Sequence, residues 1–170
     1  ISVLKIEGRA RSPEYVKTVA SCYDEAIRAI EDGTYNATRI AEWDRRLATV
    51  FNRGFWDGYY LGQKLGEWSH RYGSQATKRK IYVGKGTNYF QKIGVAEFLL
   101  ETGQLHVGDE ILITGPTTGV VQTKVKEIRV DEKHVQMTKK GDRCSIPIDI
   151  LIRRSDKLYK VVDASQVQTQ

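Results

Sequence analysis

The sequence predicts an α+β chain in which an N-terminal helical segment leads into a six-stranded all-β barrel. Three observations carry this reading. Apolar residues recur at helical spacing as far as Phe51, the period changes to two from Lys78, and six short apolar runs then follow with no helical crossover between them. The expected organisation is a helical segment over 1–77, a small barrel over 78–163 and a tail over 164–170. A composition of 40% hydrophobic and 28% charged residues is that of a globular chain and argues against disorder.

The chain opens on Ser2-Val3-Leu4-Lys5-Ile6-Glu7-Gly8-Arg9, a strand-like run with no preceding partner, which reads as the cut edge of a larger sheet. As a strand it would place Lys5, Glu7 and Arg9 on one face. A helix is expected next. Ser12 stands where a cap belongs, Pro13 suits the first helical position, and Val16, Val19, Ala20, Tyr23, Ala26, Ile27 and Ile30 follow at helical spacing to Gly33. A second helix from about Asn36 aligns Ile40, Trp43, Leu47, Val50 and Phe51 on one stripe, and the two helices should pack together.

From Asn52 to Gly62 a glycine recurs at every fourth position among aromatic rings, which reads as an irregular loop. Arg53 would stack there on Phe55 or Trp56, or contact an upstream domain. The polar run from Gly66 to Thr77 is the expected linker. Strands are expected near 80–86, 91–100, 109–115, 119–130, 142–148 and 156–162. In the fourth, Val121, Val125, Ile128 and Val130 share a face only if a bulge lies near Lys126.

A short pattern recurs three times, in Val107-Gly108-Asp109, Lys140-Gly141-Asp142 and Arg154-Ser155-Asp156, each ahead of an apolar strand. The glycine or serine permits a tight turn, and the aspartate is placed to accept backbone hydrogen bonds before the strand begins.

Several function classes lack their signatures. The longest apolar runs, such as Phe98–Leu100, are too short to cross a bilayer, and no charged-then-apolar leader opens the chain, so the expected compartment is the cytoplasm, with no membrane partner. Cys22 and Cys144 show no metal-ligand spacing and are expected as buried thiols. His70, His106 and His134 stand apart in polar contexts, and no metal site is expected in this chain. The charge is uneven: residues 77–170 carry 16 basic against 11 acidic side chains, whereas 1–76 carry 11 against 10. The excess makes Lys78, Arg79, Lys80, Lys139, Lys140, Arg153 and Arg154 candidates for nucleic-acid binding, with Tyr82, Tyr89 and Phe90 as stacking surfaces. Basic turns and core aromatics are the plainer account of the same residues.

Two stretches go further. Leu4-Lys5-Ile6-Glu7-Gly8-Arg9 with Arg11-Ser12-Pro13-Glu14-Tyr15-Val16, and Asn52-Arg53-Gly54-Phe55 with Gly58-Tyr59-Tyr60, resemble the C-terminal signature of peptidase family U32, the collagenase-like peptidases. The segments Val107–Gly119 and Arg153–Lys160 resemble that family's C-terminal β-barrel, which is in turn similar to the second domain of translation elongation factors. The resemblance implies a C-terminal accessory or substrate-positioning region whose TIM-type catalytic barrel lies upstream and is its main partner. It also implies that Lys5, Glu7 and Arg9 contribute to an active site, Glu7 as an acid, base or metal neighbour and Arg9 as an anion clamp, an ion pair being the alternative. Some relatives are linked to iron–sulfur-dependent hydroxylation of RNA bases, which implies an RNA-binding barrel here and a cluster held upstream. A protein-interaction barrel is the third reading. The substrate is accordingly RNA or protein, and the fragment alone is expected to be inactive.

Overall fold

The computed structural model describes residues 3–55 and 73–166, arranged in two compact units, Ile1–Lys78 and Arg79–Gln170. Of the expected aromatic loop and linker, residues 56–72, which include Trp56 and His70, lie outside the described residues.

In the first unit, α1 (Pro13–Glu31) and α2 (Ala37–Leu47) form a helical pair. Ser12 sits at the N-cap of α1 with extended backbone, but its side chain makes no capping bond; its carbonyl accepts from Tyr15 and Val16. Asn36 caps α2 as its residue type favours, its side chain accepting from the Arg39 N–H at 3.0 Å. The apolar residues of α1 divide between two adjacent faces. Cys22 and Ala29, with Ala26, meet Trp43 and Leu47 of α2, whereas Val16, Tyr23, Ile27 and Ile30 are exposed.

One carboxylate ties the pair together. Glu25 accepts the Trp43 indole N–H at 3.0 Å and both arms of the Arg46 guanidinium, one at 2.9 Å. The fork fits a carboxylate in two bonds at once, which fixes the helix crossing as well as adding energy. Residues 73–77 are no free linker: Gln75 donates to the Asn52 carbonyl at 2.8 Å and Thr77 to that of Ala48 at 2.9 Å. The opening run also departs from expectation. Residues 3–8 are not a strand, and among the described residues no strand pairs with them.

The second unit holds eight strands rather than six: β1 (Lys78–Phe90), β2 (Val95–Leu100), β3 (Glu110–Gly115), β4 (Gly119–Lys124), β5 (Ile128–Val130), β6 (Lys133–Val135), β7 (Arg143–Pro147) and β8 (Lys157–Asp163). They form one sheet in the order β4-β3-β8-β1-β2-β7-β5-β6. The predicted closed six-stranded barrel is therefore corrected: β4 and β6 end the ladder and do not pair with each other. Val121 of β4 and Ile128 of β5 nonetheless belong to one buried cluster with Val83, Phe98, Ile113, Ile146 and Leu158, so the sheet curls around a single core.

The expected bulge near Lys126 is instead a complete break. β4 pairs with β3 as far as Lys124, and the chain then crosses so that β5 pairs with β7. A break suits the parity of the apolar residues, since Val121 and Val125 as well as Ile128 are all buried. The irregularity that keeps pairing on both sides lies in β1, where the register with β2 shifts between Gly86 and Asn88.

Glu25 makes the helical unit sensitive to acid. Hydrogen bonding to Arg46, more than that to Trp43, holds its carboxyl below the usual range, against the opposing effect of burial. A depressed pKa contributes stability that is present above the unfolded value, about 4.3, and is lost as pH falls through the folded one. Glu25→Gln is expected to cost about 0.5–1 kcal/mol at neutral pH, solvent screening being substantial, and to flatten the loss of stability below pH 4. All three tryptophans precede Lys78, so urea unfolding followed by tryptophan fluorescence at pH 7 and pH 3.5 reads this unit separately. An unchanged acid limb in the variant would contradict the assignment.

Candidate functional site

Three turns of the second unit share one geometry: His106-Val107-Gly108-Asp109, Lys139-Lys140-Gly141-Asp142 and Arg153-Arg154-Ser155-Asp156. In each the aspartate N–H donates to the carbonyl of the first residue at 3.1 Å. The aspartate Oδ2 accepts from the N–H of that same first residue, at 2.7, 2.7 and 2.8 Å. The third residue takes a φ of 93°, 94° or 71°, as a type II turn requires. Glycine meets this without strain in the first two, whereas Ser155 adopts it against its own Cβ.

Each turn is then clamped to a neighbouring strand by two reciprocal backbone bonds. Gly108 donates to Val125 at 2.7 Å and Val125 to Asp109 at 2.9 Å; Gly141 donates to Leu100 at 2.7 Å and Leu100 to Asp142 at 2.9 Å; Ser155 donates to Gly86 at 2.9 Å and Gly86 to Asp156 at 2.8 Å. The first two turns are also tied to each other, because the buried Leu105 and Thr138 ahead of them exchange bonds at 2.9 and 3.0 Å.

The third turn is the most enclosed. Asp156 is 2% exposed and also accepts from the Thr118 hydroxyl. A Cβ on Gly115 would stand 1.7 Å from its Oδ1, and one on Gly86 would stand 2.7 Å from the Arg153 carbonyl, so both neighbours must be glycine.

These turns place four of the predicted cations. Lys139 and Lys140, and Arg153 and Arg154, occupy the first two positions of their turns and are exposed. Arg154 Nε donates to the Thr87 carbonyl at 3.3 Å and Arg153 Nη1 reaches the Thr118 hydroxyl at 3.4 Å. The turns introduce β7 and β8, which lie three strand spacings apart in the sheet, roughly 14 Å along its ladder.

Lys78, Arg79 and Lys80 begin β1. Lys80 Nζ lies 4.9 Å from the Tyr159 ring centroid, and Tyr159 packs edge-on against Tyr82. The Tyr82 hydroxyl donates to Glu101, whose other oxygen is 2.6 Å from Lys85 Nζ. That carboxylate pushes the Tyr82 phenol up to about 12, so it stays a donor. Of the other proposed stacking rings, Tyr89 donates to the Ile148 carbonyl and packs on the core, while Phe90 is exposed. Cations do not cover the whole unit: a groove of about 840 Å³ on β2, β5 and β7 is lined by Glu97, Glu127, Asp131 and Glu132 with two arginines.

Lys5, Glu7 and Arg9 are all exposed and, among the described residues, form no shared cluster; Glu7 accepts the Arg9 backbone N–H at 2.8 Å. Cys22 and Cys144 are buried free thiols in separate units, and burial raises both, Cys144 to about 12. Neither fits an iron–sulfur ligand, and the described residues contain no group of three potential metal ligands.

A second site was missed by sequence reasoning. An open cavity of about 360 Å³ is lined by Arg11, Tyr15, Tyr23, Phe51, Arg53 and Phe55 with adjoining apolar groups. The Arg11 guanidinium lies 3.9 Å from the Phe51 ring centroid and that of Arg53 lies 6.0 Å away. Arg53 thus faces Phe51, which helical spacing had placed on a packing stripe.

Residues 1–70 match the profile of Peptidase family U32. Over 160 residues the chain is 64% identical to a collagenase of Porphyromonas gingivalis, covering 94% of this chain and 39% of that protein. It is 36% identical over 158 residues to an uncharacterized protease of Methanocaldococcus jannaschii, covering 91% and 38%. The chain therefore spans about two-fifths of the length of these curated relatives. Among solved structures it is similar to the C-terminal domain of a Geobacillus thermoleovorans protein assigned to the U32 peptidases, with a TM-score of 0.44 and 14% identity over 46% of this chain and 90% of that domain.

The three turns define an order of stability effects. Asp156→Ala empties the site of a buried carboxylate and leaves the half-buried Thr118 hydroxyl and the Arg153 backbone N–H without their acceptor, and is expected to cost about 2 kcal/mol, whereas Asp142→Ala, in a more exposed turn, costs about 1 kcal/mol. Ser155→Gly removes the left-handed strain and is expected to stabilise by about 0.5–1 kcal/mol. Urea unfolding, with hydrogen exchange read at β1 and β8, checks the order; equal losses for the two aspartate variants would contradict it.

Proposed function

Because residues 1–70 match the profile of Peptidase family U32, we propose that the chain is the C-terminal accessory and substrate-positioning region of a longer peptidase whose catalytic core lies mainly upstream. The observation that carries the reading is the placement of two cation pairs, Lys139-Lys140 and Arg153-Arg154, on the clamped turns that introduce β7 and β8. Charges on a fixed backbone lose less conformational freedom on binding than the same charges on a mobile loop, so they orient a macromolecule effectively. The name of the 64%-identical relative points to a collagen-type polypeptide as the substrate. In this reading Lys5, Glu7 and Arg9 contribute only to a site completed by the upstream part.

The basic turns also support a second reading, an RNA-binding module of a parent that modifies RNA. The Lys80–Tyr159–Tyr82 group would add an aromatic surface beside a cation, the combination that holds single strands. Any iron–sulfur cluster of that reading would be held outside this chain.

Neutralising Arg153 and Arg154 together as glutamine in the full-length parent separates the two. The peptidase reading expects KM for a macromolecular protein substrate to rise about tenfold with kcat unchanged, and a short uncharged peptide to be cleaved as before. Loss of both activities in proportion would overturn it. The RNA reading expects transfer RNA affinity to fall and the slope of its salt dependence to shrink by about 1.5–2. Unchanged RNA binding at two salt concentrations would remove it.

A further inference from the structure

We infer that the groove on β2, β5 and β7 binds an extended polypeptide segment in which a lysine or arginine lies beside an apolar residue. None of its lining residues belongs to the basic turns, and the inference does not rest on what those turns engage.

The fold builds the groove from the outside of the sheet. Ala96, Phe98, Cys144 and Ile146 are fully buried, so Val95, Glu97, Ser145 and Pro147, which alternate with them, face away from the core and form its floor. Strand register then sorts the floor by chemistry. Phe90, Val95 and Pro147 are partners in an apolar row across β1, β2 and β7, and Glu97, Ser145 and Arg129 are partners in a polar row across β2, β7 and β5. The β1–β2 turn adds Ile93 beside the apolar row, and the β5–β6 turn adds Asp131 and Glu132 on the other side.

The apolar part is both open and fixed. Ile93 is 70% exposed and Phe90 41%, more than a turn needs for its own packing. The Ile93 N–H donates to the Phe90 carbonyl at 3.1 Å and the Ile148 N–H to that of Gly94 at 2.8 Å, so these side chains stand on a braced backbone. About 840 Å³ accommodates several residues of an extended chain.

Charge selects the occupant. The chain carries a net charge of +6, yet the groove is lined by four carboxylates and two guanidiniums. Each guanidinium already faces a carboxylate of the groove, Arg129 that of Glu127 and Arg143 that of Glu97 at 3.6 Å; the His134 ring also lies 3.4 Å from Glu127. Asp131 and Glu132 are exposed and make no ion pair among the described residues, so the surplus negative charge is theirs. That surplus repels a polyanion. The carboxylates do not gather around a metal ion either, since no three potential ligands converge among the described residues. Carboxylates spread along a groove with an apolar row match a chain that offers cationic and apolar side chains together.

The test titrates the full-length parent, by fluorescence anisotropy, with a fluorescein-labelled peptide that alternates phenylalanine and lysine between glycines. Two control peptides carry glutamine for lysine or alanine for phenylalanine, and each is expected to bind about five- to tenfold more weakly. Asp131→Asn with Glu132→Gln is expected to remove the preference for lysine, and Ile93→Ser to reduce that for phenylalanine about threefold, whereas Arg153→Gln with Arg154→Gln leaves both intact. Asparagine suits the φ of 49° at Asp131 and Ile93 is exposed, so these variants keep the fold. Equal binding of the three peptides overturns the inference, as does a lysine preference that survives Asp131→Asn with Glu132→Gln. A dimer in sedimentation velocity that Ile93→Ser dissociates would also overturn it, by giving the groove to a second copy of the chain.

Discussion

An aspartate carboxylate reaching back to the backbone N–H three residues earlier is the interaction on which the second unit depends. It fixes the turn and leaves the third residue's N–H and the aspartate carbonyl aimed at the next strand. The reciprocal pair that follows sets the register in which β3, β7 and β8 begin. A slip of one residue would send Ile111, Cys144 and Leu158, two positions after each aspartate and fully buried, to the solvent side. The basic side chains at the first two turn positions inherit this rigidity, so the same bonds that define the strands also orient the charges.

Much of this was legible in the sequence. The triple recurrence of a small residue followed by aspartate identified all three turns, and the period change at Lys78 located the sheet. Alternation could not show that the run from Gly119 to Val130 is two strands, because leaving one partner for another is a tertiary event with only a parity change as its local signal. Lys133–Val135 is too short to carry a pattern, and its hairpin closes through Asp131 and Glu132 at φ 49° and 64°, where glycine or asparagine would be the usual signal. The opening run failed for a different reason: Val3, Leu4 and Ile6 read as a strand, but strand propensity without a partner ladder leaves backbone groups to water. The cavity was hidden because Arg11 and Phe51 are forty residues apart in sequence and each had a sufficient local explanation.

The two units solve the problem of uniqueness differently. The sheet uses backbone bonds set by turn chemistry, while the helical pair uses side chains: one carboxylate receiving an indole and a guanidinium across the helix interface. Helices satisfy their own backbone and so leave only side chains to specify a crossing. The helical unit also presents the arginine–aromatic cavity and the exposed apolar face of α1.

The strand order has a consequence for how the protein is made. β8 is the last strand in sequence yet lies between β3 and β1, so until it emerges the sheet exists only as the hairpin β3–β4 and the separate set β1, β2, β7, β5 and β6. The three clamps join residues 108 and 125, 100 and 141, and 86 and 155, and the entropy of closing these loops grows in that order, by roughly 1 kcal/mol from shortest to longest. On a ribosome the first clamp can form within a nascent hairpin, whereas the clamp at Ser155 must wait for β8 to insert as a keystone between two preformed halves. Synthesis that stops before Lys157 would leave β1 and β3 as open edges facing each other, two templates for strand exchange between neighbouring chains.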